Sequence, residues 1–451
     1  MMDKDMGRGI CEKILSASKA DQTEILIYSN DAKLTRFADS EIHQNVAESE
    51  SEVRIRVVLE AQGKRIGVAS TNQLDERSLK ETLERAIELA RFQPENPEFV
   101  SLPGPLPFKA VGSHVERTAR FGAEERAAVV SIVCRKALES KLIASGAFLT
   151  AERGILVANS LGTFAHHRGT CAEFSTVVMG DDSSGYAGYL SLDAGEIDGE
   201  KLALEAIQKA LASRNPLSVE PGKYTVFLEE YAVNELLNYL AYPSFGAQSF
   251  LDGSGFMAGK LDQRITGEKI SIWDDGNDPS GIALPFDFEG VPKEKVFFLD
   301  EGTAKGVAYD SFTANKAGKK STGQALPAPN PDGPTPINLF MRPGKSSKEE
   351  LLEGIDKGLW ITRFHYVNHI SAKESILTGM TRDGTFLIEG GKVTRPIKNL
   401  RFTENILEAF KRVEGISRKT KLEPGFFGIL GGNRVPAMVI RDFSFSGKTE
   451  F

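Results

Sequence analysis

The chain has 451 residues, of which 41% are apolar and 26% charged, and its net charge at neutral pH is -7. This composition excludes a wholly disordered chain, and the lack of a basic excess argues against a nucleic-acid partner. No apolar run approaches the roughly 20 residues of a membrane-spanning helix, so we expect no membrane association and a cytoplasmic location. At this length we predict two domains, 1–215 and 216–451, divided where Pro216 and Pro221 punctuate the chain.

The first half of the sequence predicts antiparallel strands combined with helices. Val53, Ile55 and Val57 recur at the period of two that is typical of a half-buried strand. Leu79 and Leu83 lie at helical spacing. In chain order we predict strands over 23–29, 34–45, 51–59 and 66–70, helices over 74–91 and 123–138, strands over 143–152, 154–159 and 162–178, and a helix over 199–213.

The second half predicts a mostly-β domain with a few helices. Its short β-rich runs alternate with glycine turns, which favours a barrel-like or strongly curved sheet. Together the two halves predict an α+β fold. We predict strands over 224–228, 359–369, 377–380, 385–388, 392–397, 401–402 and 437–445, a proline-rich loop over 325–336, and helices over 231–242, 347–357 and 404–412.

Few residues are available for metal chemistry, since the chain has 6 His and 3 Cys. His365 and His369 could share a metal if they lay on one face of a helix. On a strand the pair would be roughly 13 Å apart, too far for one ion. The surrounding residues are aromatic and β-branched, so we favour the strand and a structural role for both histidines.

Asp287 and Glu289 form a second candidate constellation, in the string FDFEGVP at 286–292. On a strand both carboxylates would point to one face and could act as an acid/base pair. Alternatively they bond backbone groups near the turn that Gly290 begins, and we favour this structural interpretation.

Several strings resemble the signatures of one family in the same order along nearly the whole chain. They are LTRFA at 34–38 with EIHQ at 41–44, GKRIG at 63–67, FDFEGVP at 286–292, with Phe286, Asp287, Glu289 and Gly290, and FLIEGGK at 386–392. These strings are similar to those of the TldD/PmbA family. The resemblance implies zinc-dependent peptidases that act on unfolded or small peptides and assemble as dimers around a central cavity.

The resemblance also implies two branches. One branch carries His-Glu-x-x-x-His on a helix and a Cys near the C-terminus as metal ligands, with the Glu as general base. The other branch, PmbA or TldE, lacks these ligands and pairs with the active branch. In this sequence Asn238, Tyr239 and Pro243 stand at the three motif positions, and Phe427 stands at the position of the cysteine.

We therefore predict a non-catalytic subunit that binds no zinc itself, docks an active partner and lines a chamber for peptide substrates. Two alternatives stay open at this point. One is a stand-alone homodimer that binds peptides. The other is a hydrolase with altered chemistry, which would bring His365, His369, Asp287 and Glu289 into one cavity. An apolar loop containing Phe245 is either mobile and peptide-binding or a packed part of the core.

Overall fold

The computed structural model describes residues 2–60 and 63–449, and its first half is built around one antiparallel sheet. The sheet has six strands in the order β3-β2-β1-β4-β5-β6. The elements are α1 Lys4–Ala17, β1 Gln22–Ala38, β2 Glu41–Leu59, β3 Arg65–Thr71, α2 Glu76–Phe92, α3 Glu116–Arg120, α4 Ala123–Glu139, β4 Ile143–Asn159, β5 Phe164–Met179, β6 Ser184–Ser191, a 3₁₀ turn Ala194–Glu196 and α5 Gly199–Ala212.

Both faces of this sheet are covered. Successive residues of a strand point to opposite faces. Ile25 and Ile27 accordingly pack in a core with residues of α1 and α2. Leu26, between them, packs on the other face against Phe286 and Phe288 of the second half. The first sheet therefore separates a helical layer from the second half of the chain.

The second half contains a larger mixed sheet. Its elements are β7 Lys223–Leu228, α6 Glu230–Ala241, α7 Ala247–Asp252, β8 Ile272–Asp274, β9 Val296–Asp300, β10 Thr303–Ala304, α8 Ser311–Ala317, β11 Leu339–Met341, α9 Lys348–Glu353, β12 Lys357–Ser371, β13 Ile376–Glu389, β14 Lys392–Pro396, β15 Leu400–Asn405, α10 Ile406–Lys411, β16 Val413–Gly425 and β17 Gly428–Lys448. The sheet follows the order β10-β9-β8-β11-β17-β15-β13-β12-β7, with β14 on β13 and β16 on β17.

This sheet closes on itself because β17 pairs with β7 as well as with β15. The strands β17, β15, β13, β12 and β7 therefore form a ring. Phe364, Phe402 and Phe443 fill part of its core, with ring centroids of Phe364 and Phe402 4.6 Å apart. The predicted α+β class with a barrel-like, strongly curved second sheet is confirmed.

Several predicted strand boundaries are wrong. The predicted strand over 34–45 crosses the turn at Asp39 and Ser40, where the two long strands β1 and β2 meet. The run 143–159 is one strand, because Arg153 and Gly154 stay paired with Gly169 and Arg168 of β5. The run 376–389 is also one continuous strand. Asp383 and Gly384 have positive φ angles, but they lie opposite a register shift between β12 and β13, and pairing resumes on both sides of it. The elements that were not predicted individually are α1, α3, β6, the 3₁₀ turn, α7, β8, β9, β10, α8, β11 and β16.

The loop that contains Phe245 is part of the core. Phe245 and Phe256 are fully buried, and the ring of Phe245 stacks on Phe298 at a centroid distance of 4.3 Å. This packing favours the structural interpretation over a mobile peptide-binding loop. Separately, none of the helices in the described part of the chain is long and apolar enough to cross a membrane.

The ring core should dominate the stability of the second half. Phe402 is fully buried, whereas Phe92 at the end of α2 is 82% exposed. We expect Phe402→Ala to lower the free energy of unfolding by about 3–5 kcal/mol, because it removes buried apolar surface and leaves a cavity. Urea unfolding would measure the loss, with Phe92→Ala as the control that changes little. Equal effects of the two substitutions would contradict this account of the core.

Candidate functional site

Helix α6 is buried on nearly all sides. Glu229 caps its N-terminus from an extended conformation, and the helix ends at Ala241, before Tyr242 and Pro243. Leu236, Leu237 and Leu240 enter the main core. Ten of the twelve residues of α6 are buried, and the other two, Glu235 and Tyr239, are half-buried and lie one turn apart. These two side chains share one face, since residues i and i+4 of a helix are neighbours.

Three asparagines join α6 to the β16–β17 hairpin. The Asn433 amide nitrogen donates to Asn234 Oδ1 at 2.9 Å and to Asn238 Oδ1 at 2.6 Å. Asn234 and Asn238 in turn donate to the Pro424 carbonyl oxygen at 3.0 and 3.3 Å. Each of the three side chains is buried. The donors and acceptors of this group therefore satisfy one another, as buried polar groups must.

An aromatic cluster lies beside the asparagines. The ring of Tyr242 stacks on Phe426 at a centroid distance of 4.1 Å and meets Phe427 edge-on at 5.8 Å. Tyr239 contacts Phe426 at 5.8 Å and His369 at 5.5 Å. The end of α6 and the turn between β16 and β17 are thus in direct contact. The structure therefore brings together the elements that carry Asn238, Tyr239, Pro243 and Phe427.

These side chains do not fit a zinc ion. Zinc in proteins is bound by thiolate, imidazole or carboxylate groups, and a catalytic site needs about three of them. Asn238 offers only an amide that is already hydrogen-bonded, Phe427 offers a phenyl ring, and Pro243 offers no donor. Within residues 2–60 and 63–449, no three His, Cys, Asp or Glu side chains are grouped so that they could hold one metal ion.

A cavity of about 400 Å³ opens beside the asparagines, and we call it the carboxylate cavity. Its walls come from both halves of the chain. Three glutamates line it: Glu173 of β5, Glu235 of α6 and Glu423 of β16. Burial raises the pKa of each of these carboxyl groups, that of Glu423 to about 8. The remaining lining residues are Tyr186, Tyr231, Asn234, Asn238, Tyr239, Arg363, Pro424, Gly425 and Phe426.

The positive charge of Arg363 in this cavity is already compensated. Its Nε donates to Asp383 Oδ2 at 2.6 Å, and a second guanidinium nitrogen also contacts this oxygen. The guanidinium carbon lies 4.4 Å from the ring centroid of Tyr186. Because Asp383 neutralises Arg363, the three glutamates give the cavity an acidic character when they are ionised.

Asp287 and Glu289 lie in a turn and not on a strand. Asp287 accepts hydrogen bonds from the backbone N–H groups of Glu289, Val291 and Ala325 at 2.9, 3.0 and 2.9 Å. Burial, together with the neighbouring Glu289, raises the pKa of Asp287 to about 7. These contacts favour the structural interpretation of Asp287.

Glu289 joins the two halves of the chain. Its Oε1 accepts from Arg56 at 3.0 Å, and Arg56 also donates to Glu24 Oε2 at 2.7 Å. Its Oε2 accepts from the backbone N–H of Ser311 at 3.1 Å. A carboxylate engaged in this way has a structural function. Phe286 packs nearby against Phe108, and Gly290 adopts a positive φ of 77°.

His365 and His369 lie on strand β12. The His369 Nε2 contacts the backbone carbonyl oxygen of Tyr239, and the ring of His365 lies 4.6 Å from that of Tyr366. Burial and the adjacent Arg363 lower the pKa of His365. The contacts of the two histidines share no residue with those of Asp287 and Glu289. The arrangement therefore gives no support to a hydrolase built from these four side chains.

Several residues of the site were not predicted from the sequence. Asn234 lies four residues before Asn238, which was singled out only as a degenerate metal-motif position, and this spacing was an available signal of a polar contact on one face of the helix. Asn433, Glu423 and Glu173 carry no such signal, since only the folding of distant strands brings them to α6.

Family models match three successive parts of the chain. The PmbA/TldA metallopeptidase domain 1 matches residues 23–90, the central domain matches 119–214, and the C-terminal domain matches 221–447. The chain belongs to the PmbA/TldD metallopeptidase family. The resemblance seen in the sequence is thereby confirmed.

Relatives in this family are distant in sequence. A metalloprotease of Methanothermobacter thermautotrophicus is 24% identical over 318 residues, which cover 70% of this chain and 68% of the relative. A metalloprotease TldD homolog of Haemophilus influenzae is 23% identical over 400 residues, 84% of this chain and 82% of the relative. The crystal structure of TldE from Thermococcus kodakarensis shares the fold with a TM-score of 0.88 at 20% identity, covering 98% of this chain and 99% of that one.

The carboxylate cavity should make stability depend on pH. Glu423 holds its proton in the folded chain up to about pH 8, whereas the ordinary pKa of Glu is 4.5. Between these values the folded state binds more protons than the unfolded state, so stability falls as pH rises, by at most about 1.4 kcal/mol per pH unit. Glu423→Gln should flatten this slope in urea unfolding between about pH 5 and pH 8. The exposed Glu88→Gln is the matched control, and an unchanged slope in Glu423→Gln would contradict the assignment.

Proposed function

We propose that this chain is a non-catalytic subunit of a PmbA/TldD-type zinc metallopeptidase complex. It would dock an active subunit, which carries the zinc, and line the chamber that receives unfolded or small peptides. The observation that carries the proposal is the hydrogen-bonded asparagine group at the end of α6, together with the aromatic cluster beside it. Within these two groups, Asn238, Tyr239 and Phe427 stand at positions where the resemblance expects the zinc ligands and the general base.

The chemistry of the replacements supports this proposal. A general base for water must be able to accept a proton at working pH, which the phenol of Tyr239 and the amide of Asn238 do poorly. Burial raises the pKa of Tyr239 further. The amide of Asn238 is also engaged within the protein, because its oxygen accepts from Asn433 and its nitrogen donates to the Pro424 carbonyl oxygen. The position is thus filled with groups that stabilise the fold.

The same proposal covers location and organisation. We propose that the subunit acts in the cytoplasm, without a nucleic-acid or membrane partner, and that its two domains divide near residue 215. Its partner would be an active paralogue or, in the second arrangement, another copy of the same chain. The carboxylate cavity beside α6 is the part of the chamber that this subunit would supply.

Metal analysis is a direct test of the non-catalytic assignment. We expect purified full-length chain, incubated with zinc and then dialysed, to retain far less than one zinc per chain by mass spectrometry. An active relative with the complete His-Glu-x-x-x-His motif, treated in parallel, should retain about one zinc. Stoichiometric zinc in this chain would overturn the assignment.

The subunit role predicts functional coupling. We expect the chain to copurify with an active-branch paralogue from the same source, and the mixture to cleave an unfolded peptide faster than the paralogue alone. A heat-denatured sample of this chain is the control for non-specific effects. Peptidase activity that is identical with and without the folded chain would refute the role. Copurification of two identical copies in place of the paralogue would instead indicate the homodimer.

A further inference from the structure

The carboxylate cavity contains acidic groups that the fold leaves without hydrogen bonds. Glu173 and Glu235 line it and take part in none of the hydrogen bonds or ion pairs found among the described residues. Both are half-buried, so water compensates them only in part. Carboxylates in such a position gain from a ligand that donates hydrogen bonds and carries positive charge.

Glu423 is an independent indication of a ligand in the same cavity. It is 4% exposed, and its Oε1 accepts no hydrogen bond. This oxygen forms only an ion pair with the Lys421 ammonium group, at 3.6 Å. The same ammonium group also contacts the hydroxyl of Tyr231 and lies 3.8 Å from its ring centroid. A buried carboxyl oxygen without a donor is costly and calls for an explanation. Without a ligand, burial keeps the Glu423 carboxyl group protonated near neutral pH, and an ammonium group beside it would favour the ionised form, so binding would release this proton.

A metal ion does not explain these groups. Among the residues that the structure describes, no cluster of three His, Cys, Asp or Glu side chains is close enough to bind one ion. The cavity volume of about 400 Å³ suits part of an organic molecule better. The ligand should therefore present its positive charge on a group with several N–H donors.

The rest of the lining matches such a group. Tyr239 and Phe426 present aromatic rings whose centroids are 5.8 Å apart, and aromatic faces attract ammonium groups. The Pro424 and Gly425 backbone forms part of the wall. Arg363 does not repel a cation strongly here, because Asp383 neutralises it.

We propose that the carboxylate cavity binds a primary ammonium group of a peptide, held by Glu235 and Glu423 and flanked by Glu173, Tyr239 and Phe426. The ammonium group belongs either to the peptide N-terminus or to a lysine side chain. This proposal rests on the proposed function only in taking the ligand to be a peptide. It makes the subunit a receptor for one charged feature of the substrate.

Peptide binding by the full-length chain tests the proposal without any mutation. The probes are a pentaalanine amide with a free α-amino group, its N-acetylated form, and N-acetylated peptides with lysine or norleucine at the central position. We expect calorimetry to show roughly tenfold or greater weakening when the only ammonium group is removed. Tighter binding of the free N-terminus identifies the α-amino group, and tighter binding of lysine than norleucine identifies the side chain. Equal affinity of all four peptides, or no binding of any, overturns the proposal.

Variants locate the site. In Glu235→Gln/Glu423→Gln both carboxylates become neutral amides of nearly the same shape, so the free-amine peptide should bind as weakly as the acetylated one. Glu88→Gln, an exposed change on α2, should leave the affinity unchanged. Unfolding curves establish that both variants are folded.

The outcomes separate the ammonium site from the subunit role. If the double variant keeps the wild-type affinity for the free-amine peptide, the ammonium site is wrong, whatever the effect of the chain on an active partner. If amine binding depends on the carboxylates but the partner's peptidase activity never changes, the subunit role is wrong and the site stands.

Discussion

The burial of α6 is the constraint on which the site depends. Ten of its twelve residues are buried, although the helix carries Glu230, Asn234 and Asn238 among them. Because solvent does not reach these buried side chains, each of their polar groups needs a partner within the protein. The Glu230 carboxylate accepts a hydrogen bond from the Lys348 ammonium group at 2.6 Å. The carboxylate of the N-cap residue Glu229 accepts from the Lys209 ammonium group at 2.8 Å and from the Trp360 indole N–H at 2.6 Å. Asn234 and Asn238 form their hydrogen bonds with the β16–β17 hairpin. Their need for partners therefore holds the hairpin against the helix.

The same contacts connect the end of α6 to the turn between β16 and β17. A bound metal contributes directly to folding free energy, so replacing its ligands removes both the metal and a crosslink. Here the hydrogen bonds of Asn433 and the stacking of Tyr242 on Phe426 join the same two segments. A buried hydrogen bond contributes only about 0.5–1.5 kcal/mol, so several are needed where one ion would suffice.

The sequence predicted most elements that have a local signal. The helix over 231–242 and the strand 224–228 have clear periodicity, and both were confirmed as α6 and β7. Helix α1 was overlooked although its signal is present, since Asp3 caps it through Met6 N at 2.8 Å and Cys11 and Ile14 are buried at helical spacing. The breaks predicted in β4 and β13 show the opposite error, because pairing with neighbouring strands outweighs local propensity. The hydrogen bond of Asp287 from Ala325 N–H, and the placement of Glu423 beside Glu173, depend on long-range contacts that no local pattern encodes.

The position of the carboxylate cavity follows from how the two halves are joined. Tyr231 of α6 accepts a hydrogen bond from the backbone N–H of Gly188 in β6 at 3.0 Å and can return one to the Gly188 carbonyl oxygen at 3.2 Å. Arg56 of β2 bridges Glu24 and Glu289 in the same way. The Tyr231 contacts hold β6 against α6, whereas the Arg56 contacts join β2 to the turn at 286–292. Between β5, α6 and β16 a cavity remains, lined by Glu173, Glu235 and Glu423. The two half-buried side chains of α6, Glu235 and Tyr239, both line this cavity. The polar groups of the helix that remain open to a ligand are therefore concentrated here, in its middle and C-terminal part.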